Sequence, residues 1–429
     1  MKLKCISISF FLLFISLSYQ SDIVSFDISF TYFNITNKGV AVSAHDNLTE
    51  IFPVFPFCIT PSKQCFNISL DNTIYQTWIP GQLLSKFFNK TYIPHPTDNV
   101  VSTTKSSTGL LDSNYVGGMF VKAEVSPYKS NNSFVFALMN EGNLYQKIEY
   151  INGKMGILRL SAVTKDFDEP VSYLDYLVKN NIISHSKFSI QYNEDLTKGE
   201  IIFGKLDEDK DNTNFCSLSK ERYQLSWSCA LSNVIISNYS IEVSGDKNGG
   251  EFVSFETLSQ NIYAPYESGE YILKRLIEKN KDDCYIKNEG LNKFIVCNNT
   301  ADISNFDKII LASKEGMEYP LYPEDIFDYD KNNKIYISRL IVIGNEKNLW
   351  KIGIPGFKGK RIAFNQEDER IEFYENSTHS NNIYKEIFNN YYVIFGIIFV
   401  VIVLILIVLF CIRRSRLRAK NEVNFTLME

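Results

Sequence analysis

The chain has 429 residues, 45% of them hydrophobic and 14% aromatic, with a formal charge of −5. Setting aside +2 from Lys2 and Lys4 and +3 from a basic tail, the residues between carry about −10, which excludes nucleic acid as a partner. About 370 residues lie between the two ends, enough for two lobes.

Residues 1–20, "MKLKCISISFFLLFISLSYQ", have two lysines, an apolar run and then small residues, which is the pattern of a secretory signal peptide. From residue 21 onward short β-prone runs dominate: "SFVFALM", "KFSIQY", "GEIIFGKLD", "NVIISNYSIEV", "KIYISRLIVIGN" and "RIEFY", separated by polar turn clusters. Helical periodicity predicts two helices. One falls within 170–183, with Tyr173 and Leu177 on one face. The other spans 268–280, capped by Ser268 and striped by Ile272, Leu273, Leu276 and Ile277. Residues 376–391 are Asn-rich and read as a stalk. Residues 392–412 form an uncharged apolar run, long enough as a helix to cross a bilayer core of about 30 Å. Arg413, Arg414, Arg416, Arg418 and Lys420 follow, which predicts a cytoplasmic basic tail at 413–429. The expected topology is single-pass type I, with the ectodomain extracellular or in the endomembrane lumen.

Six cysteines fall in that ectodomain as local pairs: Cys58 with Cys65, Cys216 with Cys229, and Cys284 with Cys297. An oxidising compartment favours disulfides, and local pairing is preferred because each pair brackets a plausible hairpin. Acceptor patterns for N-glycosylation stand at Asn34, Asn47, Asn67, Asn89, Asn131, Asn238, Asn298 and Asn376. No Cys-x-x-Cys or His-Glu-x-x-His pattern occurs and the four histidines are scattered, so no metal and no cofactor is expected.

Several segments resemble, in the same order, landmarks of the pepsin-like aspartic peptidase family. "WKIGIPGFKGKRIAFNQEDERIEFY" (350–374) is similar to that family's closing block, in which a Trp precedes Ile-Leu-Gly-Asp and a Phe-Asp strand leads to Arg-Ile-Gly-Phe. Trp350, Gly353, Phe364, Arg370, Ile371 and Phe373 keep their places, while Ile354 stands where the family has Asp. "GILRLS" (156–161) resembles Gly-Ile-Leu-Gly-Leu-Gly, and "KFSIQYNEDLTKGEIIFGKLD" (187–207) resembles a Phe-Ser strand followed by Gly-Glu-Leu-Ile-Phe-Gly-Gly-Asp. "YQLSWSCALSNVII" (223–236) and "KFIVCNNTADISNFDKIILAS" (293–313) resemble two further strand pairs. The resemblance implies a mostly β, bilobal pepsin-like fold with few short helices, an N-terminal lobe over 21–205 and a C-terminal lobe over 206–375.

Such a fold implies two active loops. "DNTIYQTWIP" (71–80) resembles Asp-Thr-Gly-Ser-Ser-Asn-Leu-Trp-Val-Pro and places Asp71 at the first catalytic position. Counting back from Pro265, "ETLSQNIYAP" places Glu256 at the second. The implied chemistry needs two carboxylates that share one proton and bridge one water. The supporting residues are altered: Asn72 and Thr73 replace Thr-Gly, and Leu258 replaces the second Gly after a retained Thr257. A side chain where backbone must pass closely clashes or moves the loop. The altered loops are therefore expected to lose the support that fixes the carboxylates. The family's flap Tyr-Gly falls on Leu111 and Asp112, with Tyr115 close by. The leading expectation is a catalytically impaired, membrane-anchored homologue whose interlobe cleft binds a peptide or glycoprotein. The rivals are an active aspartic endopeptidase using an Asp/Glu pair, and an unrelated β-rich surface receptor or adhesin.

Overall fold

The computed structural model describes residues 23–33, 48–59, 63–74, 77–86, 88–94, 99–110, 114–125, 133–142, 153–157, 172–205, 214–219, 227–243 and 250–374. The chain divides into Met1–Glu375 and Asn376–Glu429, and all described residues belong to the first unit. The signal pattern, stalk, apolar run and tail lie outside the described residues, as do Leu111, Asn34, Asn47, Asn131 and Asn376. Among the described residues no helix is long and apolar enough to cross a membrane.

Strands form where the sequence alternates. In Ile23–Phe33, Val24, Phe26 and Ile28 are buried between exposed Ser25, Asp27 and Ser29, the period-two signature of a half-buried strand. This strand pairs antiparallel with Lys198–Gly204 on one side and Glu50–Ile59 on the other. Lys198–Gly204 continues to Lys187–Tyr192, and that strand pairs with Arg361–Asn365 from the far end of the chain. Arg361–Asn365 turns back into Arg370–Tyr374, which pairs with Phe215–Ser217. One continuous sheet thus joins the two halves, and the division at 205/206 cuts the chain without cutting the sheet. In the other direction the same sheet runs through Gln64–Asp71 to the hairpin Asn99–Leu110/Asn114–Ala123. The C-terminal half adds its own nine-stranded sheet and a four-stranded one.

The halves also share a core. The Trp227 indole donates to the Ile157 carbonyl at 3.2 Å and packs edge-on against Phe188 and Phe364, which stack at 4.7 Å. The three disulfides are the local ones expected. Cys58 lies directly opposite Cys65 in its hairpin, as Cys284 does Cys297. Asn67, Asn89, Asn238 and Asn298 are exposed.

Both helices exist, Tyr173–Lys179 and Tyr266–Ile277, the second burying Ile272, Leu273 and Leu276. Its start corrects one expectation. The helix begins directly after extended Pro265, so Ser268 lies inside its first turn, and its hydroxyl donates to Glu251 at 2.8 Å instead of capping.

Within the shared sheet Glu372 is 1% exposed and accepts from Lys187 (2.5 Å), Tyr374 (2.5 Å), Arg370 (2.6 Å) and Asn365 (3.2 Å). Burial alone would raise its carboxyl, but these donors overcome it and hold it at about 2. That lies below the ordinary Glu value of about 4.3, so the stabilisation is complete above that pH and lost as pH falls toward 2. Removing the buried cation should cost about 3–5 kcal/mol. Lys187→Met is therefore expected to lower the urea midpoint sharply at pH 7 and much less at pH 2. An equal loss at both values would show that lost packing accounts for the effect.

Candidate active site

Gln64–Asp71 ends on Asp71 and lies parallel to Lys154–Gly156, with Ser69 opposite Lys154 and Asp71 opposite Gly156. The chain loops back so that Trp78 pairs antiparallel with Lys154. The second half repeats this arrangement residue for residue. Phe252–Phe255 leads into Glu256 and lies parallel to Leu349–Ile352, with Ser254 opposite Lys351. Its returning strand, Ile262–Ala264, pairs Tyr263 antiparallel with Lys351. Each loop carboxylate thus sits two residues after a serine that faces a lysine on the adjoining strand.

The loops are tied across the lobe boundary. The Thr257 hydroxyl donates to the Leu70 carbonyl at 2.7 Å and accepts from the Asn72 N–H at 3.3 Å. The Asn72 side chain mirrors it: Nδ2 donates to the Phe255 carbonyl at 2.5 Å, and Oδ1 accepts from the Thr257 N–H at 3.1 Å. Both residues are buried. The expectation that Asn72 removes loop support is therefore corrected. An amide holds a donor and an acceptor on separate atoms, so it does what a single hydroxyl does from the other side.

Thr73 is corrected likewise. Its N–H and hydroxyl both donate to Asp71 Oδ1, at 3.0 and 2.5 Å. A short β-branched hydroxyl closes an Asx-type turn on the carboxylate two residues back and so does not clash. The turn is generic here, because Thr197 on Asp195 and Ser304 on Asp302 form it at exposed positions. Leu258, the other replaced glycine, is half-buried, and its carbonyl accepts from Gln260 Nε2 at 3.3 Å. Gln260 also clasps the opposite lobe, donating to the Ile51 carbonyl at 2.8 Å and accepting its N–H at 2.7 Å. The close backbone approach occurs at Gly353, where an added Cβ would meet the Ser259 carbonyl at 2.3 Å.

What distinguishes Asp71 is its partner. Lys154 Nζ lies 2.8 Å from Oδ2, with the two side chains 10% and 5% exposed. Burial pushes the Asp71 carboxyl up, but Lys154 and the Thr73 donors outweigh it and leave it below the usual range. Glu256 is looser. Lys351 Nζ stands 3.6 Å from Oε1, with the side chains 35% and 22% exposed, and the Ser254 hydroxyl is 3.5 Å away. Burial pushes Glu256 up, Lys351 opposes this, and the negative charge of Asp71 adds to the rise.

Sequence reasoning missed both lysines. The available signal was a repeat, "KMGI" at 154–157 and "KIGI" at 351–354, with the same parallel pairing in each lobe. By the resemblance alone, Lys351 stands where the family's closing block has Ile. In the hairpin expected to carry the flap, Tyr115 pairs with Gly109, one step from the Leu110–Asn114 pair. Among the described residues no three His, Cys, Asp or Glu side chains group as metal ligands.

A two-lobed β protein with one carboxylate loop per lobe, cross-bonded at its base, has the architecture of an aspartic protease. The eukaryotic aspartyl protease family model matches residues 59–376, and the chain belongs to that family. A search of curated proteins finds no significant match.

The Asp71–Lys154 pair makes a double-mutant cycle decisive. Removing either partner strands the other charge in the interior, at about 3–5 kcal/mol. Lys154→Met and Asp71→Asn should each destabilise the protein in urea at pH 7, and the double variant should recover much of the loss. Additive losses would show that the two groups are not coupled. Because the Asp71 carboxyl is lowered, the pair's contribution is full above the ordinary Asp value of about 3.9 and disappears as pH falls through the lowered one.

Proposed function

We propose that this chain is a non-peptidase member of its family, a type I membrane protein whose interlobe cleft binds a peptide or glycoprotein without cutting it. In this reading residues 1–20 direct the chain into the secretory pathway, and residues 392–412 hold the ectodomain at an extracellular or lumenal face. The observation that carries the reading is the Lys154 ammonium on Asp71. Peptide hydrolysis by this fold needs one proton shared between two carboxylates and one water held by both. Asp71 Oδ1 already takes two donors from Thr73, which fills its lone pairs, and Oδ2 takes Lys154. A water would have to compete with a buried ammonium for the remaining site. Glu256 extends one methylene further than Asp, about 1.5 Å, and a misplacement of about 1 Å can cost 10²-fold in rate.

The cross-bonding of Asn72 and Thr257 favours a second reading, an active peptidase using Asp71 and Glu256, because the frame that positions the pair is kept. The two readings part in one assay. Purified full-length protein is incubated with a degenerate peptide library between about pH 3 and 6, where carboxylates titrate. The expected result is no cleavage, and none after Lys154→Met. Cleavage by the unaltered protein that disappears in Glu256→Ala would establish the second reading.

A further inference from the structure

The two lysines occupy the same register in each lobe, yet they are not used alike. Lys154 and Asp71 close to 2.8 Å and are almost fully buried. Lys351 and Glu256 remain 3.6 Å apart, although Glu reaches further than Asp. The Ser254 hydroxyl, at 3.5 Å, does not close the gap. Among the described residues the Lys351 ammonium has no nearer polar partner, so its three donors are largely unspent. It also keeps 35% of its surface open.

Charge at the cleft floor is consistent with that opening. In a shared-proton dyad the floor carries a net negative charge and repels anions. Here Lys154 cancels Asp71, and Lys351 balances Glu256. An incoming carboxylate meets a neutral floor with one under-used ammonium on it. Displacing a contact of 3.6 Å costs little, whereas a new charge-assisted hydrogen bond forms at about 2.7–2.9 Å.

We propose that Lys351 is a specificity-determining residue that reads a carboxylate of the bound peptide, and that the cleft therefore selects acidic peptides. The inference rests on the cleft being a peptide-binding site. A Lys is a point charge rather than a fork, so it selects for charge and position and not for planar bidentate geometry. The carboxylate could come from an Asp or Glu side chain or from a peptide C-terminus, since the same ammonium serves both.

The test uses the full-length protein and four fluorescently labelled octapeptides of one sequence. Two carry a central Glu and two a central Gln, each with a free or an amidated C-terminus, and binding is read by fluorescence anisotropy. The expected result is at least tenfold tighter binding of one carboxylate-bearing peptide over its neutral counterpart. A Glu-over-Gln preference identifies the side chain as the source, and a free-over-amidated preference identifies the terminus. Lys351→Arg should keep the preference. Lys351→Glu should abolish it and, against a fifth octapeptide with a central Lys, reverse it in favour of that Lys, a change that a purely structural role could not produce. Equal affinity for all four peptides, or a preference that survives Lys351→Glu, would overturn the assignment while leaving cleft binding intact. If none of the four peptides binds, both the assignment and the cleft-binding reading fail.

Discussion

Asn72 and Thr257 tie the two lobes together directly behind the carboxylate loops. Each follows a loop carboxylate, and each reaches the backbone just before the carboxylate of the other lobe. All of these atoms are buried, and an orphaned buried donor or acceptor costs about 1–3 kcal/mol. A shift of one lobe against the other would strand several at once. Gln260 extends the tie by pairing with Ile51 through both of its amide atoms, and Arg339 adds a contact to the Thr49 carbonyl at 2.9 Å. The positions of Asp71 and Glu256 are therefore set by the backbone behind them and not by any bond between them. That frame leaves the carboxylates free to change chemistry without moving the loops.

The change that has occurred is symmetric. Placing a lysine in a buried strand is unfavourable unless a partner and good geometry compensate. It has been done twice, at matching positions on matching strands, and each ammonium faces the carboxylate loop of its own lobe. A dyad relieves the repulsion of two close carboxylates by sharing a proton. Here each carboxylate also has its own cation, which offsets part of that repulsion, although the charge of Asp71 still raises Glu256. Asp71 is enclosed with its lysine, while Glu256 and its lysine keep contact with solvent.

Much of the fold was legible because its signals are redundant. Strands such as Ile23–Phe33 alternate cleanly, the disulfide partners sit across short hairpins, and the ordered landmarks around Trp350 and Gly353 constrain one another. At the site, single residues had to be read without their partners. Asn72 reads as a lost support, since nothing local announces that its amide meets Phe255 in the other half of the chain. Thr73 reads as an obstruction because its hydroxyl direction is a rotamer choice, visible only once the Asx turn forms. Lys154 and Lys351 draw no notice in the sequence. Their significance comes from the parallel pairing that sets Ser69 and Ser254 opposite them. Ser268 misled for a related reason: its hydroxyl goes to Glu251 across the lobe, while Pro265 sets where the helix begins.

Two carboxylates with pKa values pushed apart ordinarily mark an acid and a base. Asp71 and Glu256 do diverge, the first downward and the second upward. The causes matter more than the directions. In a proton-sharing pair, each charge is the main influence on the other. For Glu256 the leading influence is burial, then Lys351, and only then Asp71. For Asp71, burial is outweighed by Lys154 and the Thr73 donors. Each carboxylate therefore answers first to its own lobe. The same sign pattern that marks an acid and a base in a proton-sharing pair here arises with a lysine beside each carboxylate and an intact frame behind both.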